Sequence, residues 1–154
     1  MEHLQEKNLE QVIANIRLLL ANLHIHSQNL RNFHWNVTGQ HFLELHKHLE
    51  ELYEDTSKMI DEVAERLRAL GTHARQSLQE YIAMAECEEQ PQLQDPWSMI
   101  AAAKQSNEVM LKNMEAIVKA ADKAEDFGSS DMFATYIGAL EKQNWMLDAL
   151  LQRP

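Results

Sequence analysis

Apolar residues recur every three or four positions along most of this chain, the period of a helix that buries one side. The first stripe runs Leu9, Val12, Ile13, Ile16, Leu20, Leu23 and Leu30, and predicts a helix over residues 4–36. The second runs Phe42, Leu45, Leu49, Leu52, Met59, Val63, Leu67 and Leu70, and predicts a helix over residues 40–70, closed by Gly71. Asp95-Pro96 reads as a helix start, because Asp can cap and Pro suits the first turn. That third long helix is expected to reach Ala124. After a turn over residues 126–130, Ser129 or Ser130 could cap a fourth. It carries Met132, Phe133, Ile137, Leu140, Trp145, Met146, Leu147 and Leu150, with Trp145 expected in the core. Residues 71–95 form a long connection. Its middle, residues 77–84, suits a short helix, and residues 86–91 read as exposed loop.

Composition supports an all-α reading. The chain has only 4 Gly and 3 Pro against 20 Leu and 17 Ala, too few turn formers for a β-sandwich or barrel. Its 154 residues suffice for one domain, 1–154, and not for two ordinary enzyme domains. Four long helices with the long link between the second and third make a ferritin-like four-helix bundle, here with a short extra helix in that link. A single cysteine, Cys87, excludes an internal disulfide framework and a cysteine-based zinc site. No apolar run approaches membrane-spanning length, and the first residues do not read as a signal peptide. The expected setting is therefore cytoplasmic and soluble, with no membrane partner.

The second helix has three faces rather than two. Between its apolar stripe and a charged side (Lys47, Glu51, Glu54, Asp55, Lys58, Glu62, Arg66) lies a strip of His46, Glu50, Tyr53, Ser57, Asp61 and Glu65. One imidazole and three carboxylates suit a hard or borderline metal such as iron. His46 and Glu50 are four apart, as are Asp61 and Glu65, so each pair can converge. The two pairs cannot meet within one helix, since 19 residues at ~1.5 Å rise span about 28 Å.

A two-fold axis removes that obstacle. The midpoint of 46 and 65 is 55.5, and so is that of 50 and 61. Two copies of the helix, antiparallel about that point, set His46 against the other copy's Glu65, and Glu50 against Asp61. The alternative is a solvated charged face, the usual fate of Asp and Glu on an amphipathic helix. His34, near the end of the first helix, would approach the same strip through the short turn that follows; alone, it could equally be a core or capping group. Two imidazoles plus carboxylates suit Fe(II) oxidation better than structural zinc. His24, His26, His41 and His48 are not assigned as ligands. The Glu-x-x-His motif used by metal sites inside a bundle is absent from the sequence, which favours a site between subunits.

The run Asn32-Phe33-His34-Trp35-Asn36-Val37-Thr38-Gly39-Gln40-His41-Phe42-Leu43-Glu44-Leu45-His46-Lys47-His48-Leu49-Glu50-Glu51-Leu52-Tyr53 resembles the signature of the Dps family (DNA-binding protein from starved cells), the mini-ferritins. Asp61-Glu62-Val63-Ala64-Glu65-Arg66-Leu67 matches its continuation, and Glu141-Lys142-Gln143-Asn144-Trp145-Met146-Leu147 looks like the family's last helix. The resemblance covers residues 12–151. It implies a homo-dodecameric cage that binds Fe(II) between subunits, oxidises it, typically with hydrogen peroxide, and stores Fe(III) mineral inside, protecting DNA from oxidative damage. Carried over by position, it implies His34 and His46 from one subunit, Asp61 and Glu65 from its partner, and Glu50 as an additional iron-holding carboxylate. Trp35 stands where members use a tryptophan in electron transfer, with simple packing as its alternative. Asp122, Asp126 and Asp131 stand where the family lines an iron-entry pore, with turn capping and helix-dipole charge as the alternative for all three, most of all for Asp126.

DNA binding, the family's other activity, finds little support in the composition. The first eleven residues hold one basic residue, Lys7, against three Glu, and the chain ends Leu151-Gln152-Arg153-Pro154 without a basic tail. Fourteen basic against 24 acidic residues give a formal net charge of −10, which repels phosphate. The competing function is a nucleoid-associated structural protein whose metal site serves mainly assembly.

Overall fold

The computed structural model describes Leu4 and residues 7–152. The elements are α1 (Glu10–Asn36), α2 (Phe42–Ala69), α3 (Leu78–Met84), α4 (Pro96–Lys123) and α5 (Phe127–Leu151). The described residues contain no strand, and the fold is the all-α bundle that the stripes predict. Helix α1 begins six residues later than its periodicity suggests. Asn8 Oδ1 accepts the Glu10 amide at 3.4 Å, and Leu9 turns inward; residues 5 and 6 of the expected first turn lie outside the described residues. None of the helices is long and apolar enough to cross a membrane.

The core has two apolar halves. One gathers Leu20, Leu23, Val63, Leu67, Met114, Ile117 and Phe133. The other gathers Leu30, Phe33, Leu49, Leu52, Met99, Ile100 and Leu147 around the α1–α2 turn. Buried asparagines lie among these residues, and each is held. Asn22 Nδ2 donates to Asn113 Oδ1 (3.2 Å), while its Oδ1 accepts the amides of Glu86 (2.7 Å) and Cys87 (3.0 Å). Asn29 donates to Glu88 O (2.8 Å) and accepts from Gln90 N (2.9 Å). The segment expected as free loop is thus fastened to α1 by two side chains that mimic backbone pairing.

The helix ends follow the chemistry of their residues. Asp95 caps α4 by accepting the Ser98 amide at 2.9 Å, with Pro96 in the first turn. Ser77 caps α3 in the same way. Helix α5 starts two residues before the serines that could have capped it. Asp126, itself 2% exposed, accepts the Ser129 amide at 3.2 Å and does that work. Trp145 is corrected too: it is 66% exposed. The buried face of α5 is set by Phe133, Leu140 and Leu147, seven apart, with Asn144 beside them. Trp145 follows Asn144 by about 100° around the helix and so turns outward.

Two helices end in the same reversal. After α2, Thr72 N bonds Leu67 O and Gly71 N bonds Arg68 O, with Gly71 at φ 87°. After α4, Asp126 N bonds Ala121 O and Glu125 N bonds Asp122 O, but the left-handed position holds Glu125 at φ 57°. An L side chain is disfavoured there. Glu125→Gly should therefore raise stability by about 0.5–1 kcal/mol, read as a higher denaturant midpoint; an unchanged or lower midpoint would contradict the strain.

Candidate metal centre

The turn between α1 and α2 brings the two candidate imidazoles together. Val37 caps α1 through its amide to Phe33 O (2.9 Å), and its side chain is buried. Gly39, at φ 108°, lets the chain reverse before α2. His34, buried in the last turn of α1, then lies flat against His46, with ring centroids 3.8 Å apart and planes at 16°.

Their hydrogen bonds are reciprocal. His34 Nδ1 lies 2.6 Å from His46 O, and His46 Nδ1 lies 2.8 Å from His34 O. A carbonyl oxygen can only accept, so each Nδ1 carries the hydrogen and donates. When a ring is neutral, Nε2 is then the atom with the free lone pair, the arrangement that orients metal-binding histidines. The His46 ring also satisfies a carbonyl in the last turn of α1, where the helix supplies no amide.

Glu50 lies one turn further along α2, half-buried, with the Tyr53 hydroxyl 3.5 Å from its Oε1. The Tyr53 ring stands edge-on to His34 (5.3 Å), and Phe42 stacks on His46 from the other side (5.0 Å). Arg31 lies over the Tyr53 ring at 4.5 Å and donates to Ser57 Oγ at 3.2 Å. Within one chain His34 and His46 are stacked together, and Tyr53 touches both His34 and Glu50.

Asp61 and Glu65 are not part of that assembly. Both are exposed on α2. Asp61 is fifteen residues beyond His46, or about 22 Å along the axis. Among the described residues no group of three or more His, Cys, Asp or Glu is placed to hold a metal ion. Trp35, adjacent to His34, is largely exposed.

The three pore candidates differ from one another. Asp131 is exposed. Asp122 is exposed and accepts from Ser130 Oγ at 2.5 Å. Asp126 is buried, caps α5, and pairs with Arg66 Nη2 at 2.7 Å, while Arg66 Nε donates to Ser129 Oγ at 2.9 Å. Gly128 makes room for this docking, since a Cβ there would lie 2.8 Å from Arg66 Nη2. The capping alternative describes Asp126.

The remaining described histidines have other surroundings. His24 stacks on Tyr81 (4.2 Å), and burial lowers its pKa. His26 is fully buried, its pKa pushed down to about 4 by desolvation, with no partner for Nδ1. His41 meets Trp97 edge-on (5.8 Å) and approaches Glu44 (3.9 Å). His48 approaches Glu51 (3.9 Å), and His73 accepts from Arg68 (2.6 Å). Sequence reasoning missed Arg31, although its spacing of three from His34 puts both on one face of α1.

Comparison with known proteins bears on the fold and the family. A family model described as a ferritin-like domain matches residues 13–154. The crystal structure of Dps from Staphylococcus aureus superposes with a TM-score of 0.91 at 30% identity, covering 96% of this chain and 99% of that one. The Dps protein of Vibrio cholerae O1, described as a member of a superfamily of ferritin-like diiron-carboxylate proteins, gives 0.90 at 32% identity, covering 93% and 90%. In sequence, the DNA protection during starvation protein 2 of Bacillus anthracis is 32% identical over 94 residues, 61% of this chain and 64% of that protein. A DNA protection during starvation protein of Porphyromonas gingivalis is 34% identical over 90 residues, 58% and 57%. The matched stretch thus spans somewhat under two thirds of these curated relatives. The chain belongs to the ferritin-like proteins and, within them, to the Dps family of mini-ferritins.

Proposed function

We propose that this chain is the subunit of an iron-oxidising, iron-storing cage, and that each metal pocket is shared by two chains. The observation that carries the reading is the reciprocal His34–His46 pair. It leaves two Nε2 lone pairs unused one helical turn from Glu50, while the matching carboxylates Asp61 and Glu65 lie about 22 Å and about 28 Å from His46 along the same strip of α2. A second α2, antiparallel about residue 55.5, returns those carboxylates to the imidazoles twice over.

Fe(II) is the substrate. The imidazoles His34 and His46 retain it, and the hard oxygens of Glu50, Asp61 and Glu65 favour the Fe(III) product. Two Fe(II) supply the two electrons that reduce hydrogen peroxide, the expected oxidant, to water. Keeping iron and peroxide together limits radical release, which protects DNA without contact. Exposed Trp35 is available for electron transfer beside His34, and Asp122 and Asp131 for guiding cations inward. The setting is cytoplasmic and the assembly twelve chains of 17.8 kDa, about 214 kDa together. Direct DNA binding is weak in this reading, because a formal charge of −10 per chain opposes phosphate.

The test is Asp61→Ala combined with Glu65→Ala. Peroxide-driven Fe(II) oxidation should fall at least 100-fold, the scale of losing two ligands at one site, while size exclusion still reports the cage. Oxidation unchanged in an intact cage would refute the site. A gel shift with duplex DNA, run beside it, should show no retardation at physiological salt.

A further inference from the structure

The geometry points to Arg31 and Glu54 as the charge pair that fixes how two copies of this chain dock along α2. The inference rests on the shared-pocket reading and adds the contact that sets its register.

Arg31 is half-buried, yet its partners are a hydroxyl and an aromatic face: Ser57 Oγ at 3.2 Å and the Tyr53 ring at 4.5 Å. Among the described residues no carboxylate lies within ion-pairing distance of it. Beside it runs a groove of about 450 Å³, lined by Arg31, Ser57, Ile60, Leu78, Ile82 and Glu89 among others, with Glu89 beyond ion-pairing distance of Arg31. Its outer rim is apolar and exposed, with Leu78 at 72% and Ile82 at 55%. An apolar rim of this kind is stabilised by being covered. Covering it also strips water from the Arg31 guanidinium, and a desolvated cation without an anion is strongly unfavourable. An occupant that brings an apolar surface and places a carboxylate at Arg31 satisfies both demands.

A second copy does both. Antiparallel pairing about 55.5 brings residues of α2 level with those whose numbers complete a sum of 111, so Ser57 lies level with residue 54 of the other copy. That residue is Glu54, which is exposed and has no ion pair among the described residues. Arg31, bonded to Ser57, lies at the same level in that pairing. The neighbouring cation on that stretch, Lys58, is engaged by Glu62 at 3.9 Å. The two-fold makes the contact twice, one on each side of the axis, between the two metal pockets.

Charge swapping tests this. Arg31→Glu alone and Glu54→Arg alone each set like charges face to face. Each should raise the chain concentration needed for assembly on the order of tenfold or more, read by size exclusion and light scattering. The chain carrying both Arg31→Glu and Glu54→Arg should assemble like the unaltered one, which also shows that neither change prevents folding. Single variants that assemble normally would overturn the pairing. So would a double variant no better than the singles. The shared pocket is tested separately, by mixing His46→Ala with Asp61→Ala chains. Restored oxidation there beside a failed charge swap sinks only the Arg31–Glu54 contact, whereas no restoration sinks both.

Discussion

Chains carrying His46→Ala and chains carrying Asp61→Ala, each inactive alone, should regain about a quarter of the unaltered iron-oxidation rate when co-expressed in equal amounts. The figure follows from symmetry. A mixed pair has two pockets, and one of them collects both lesions. The other takes His34 and His46 from the Asp61→Ala chain and Asp61 and Glu65 from the His46→Ala chain, so it is complete. Random pairing makes about half of all pairs mixed, and half of their pockets work. A pocket built within one chain gives no restoration at any mixing ratio. Stopped-flow absorbance of Fe(III) formation, normalised to cage concentration, reads the result. Zero activity in the mixture, with both chains present in the cages, would rule out shared pockets.

The second large effect concerns acid. His26 sits fully buried, and desolvation pushes its pKa from 6.5 down to about 4. Above pH 6.5 both folded and unfolded chains hold it neutral, and it contributes no pH dependence. Below 6.5 the unfolded chain takes up a proton that the folded chain refuses, so stability falls as pH drops, until the folded pKa near 4 is passed. The shift corresponds to about 3 kcal/mol at the acid end of that window. His26→Leu keeps similar bulk and removes the titrating ring together with its unpartnered Nδ1. Unfolding free energies from urea titrations at pH 7 and pH 4 should therefore converge for the variant by about 3 kcal/mol relative to the unaltered chain. Equal acid losses in both chains would show that His26 is not the group responsible. His24, also lowered by burial, adds loss of the same sign in both.

Much of the bundle was legible because α1 and α2 each carry an apolar stripe of helical period, and α4 a recognisable start. Asp95-Pro96 and Gly71 announce their ends through conformations few other residues favour. Helix α5 was less legible. Its apolar residues surround it, so periodicity alone could not decide that Phe133 and Leu140 face inward while Trp145 and Met146 face out. Its cap was ambiguous for a similar reason, since Asp126, Ser129 and Ser130 all had suitable side chains. Asn22 and Asn29 were invisible as fasteners: their partners are backbone groups about sixty residues away, and an asparagine in mid-helix looks like a surface residue. The strip on α2 was readable as a candidate site from its spacing. The hydrogen bonds that orient His34 and His46 were not, because their acceptors are carbonyls, which every residue has.

Those two imidazole bonds also bear on timing. They belong wholly to one chain and form as α1 and α2 fold, so the nitrogen donors are set before any encounter between copies. Under the shared-pocket reading a freshly synthesised polypeptide is chemically silent: it can present half a coordination sphere but cannot turn iron over. Reactivity switches on at the moment of docking, and ferric product therefore starts to form only once a shell to contain it is under construction.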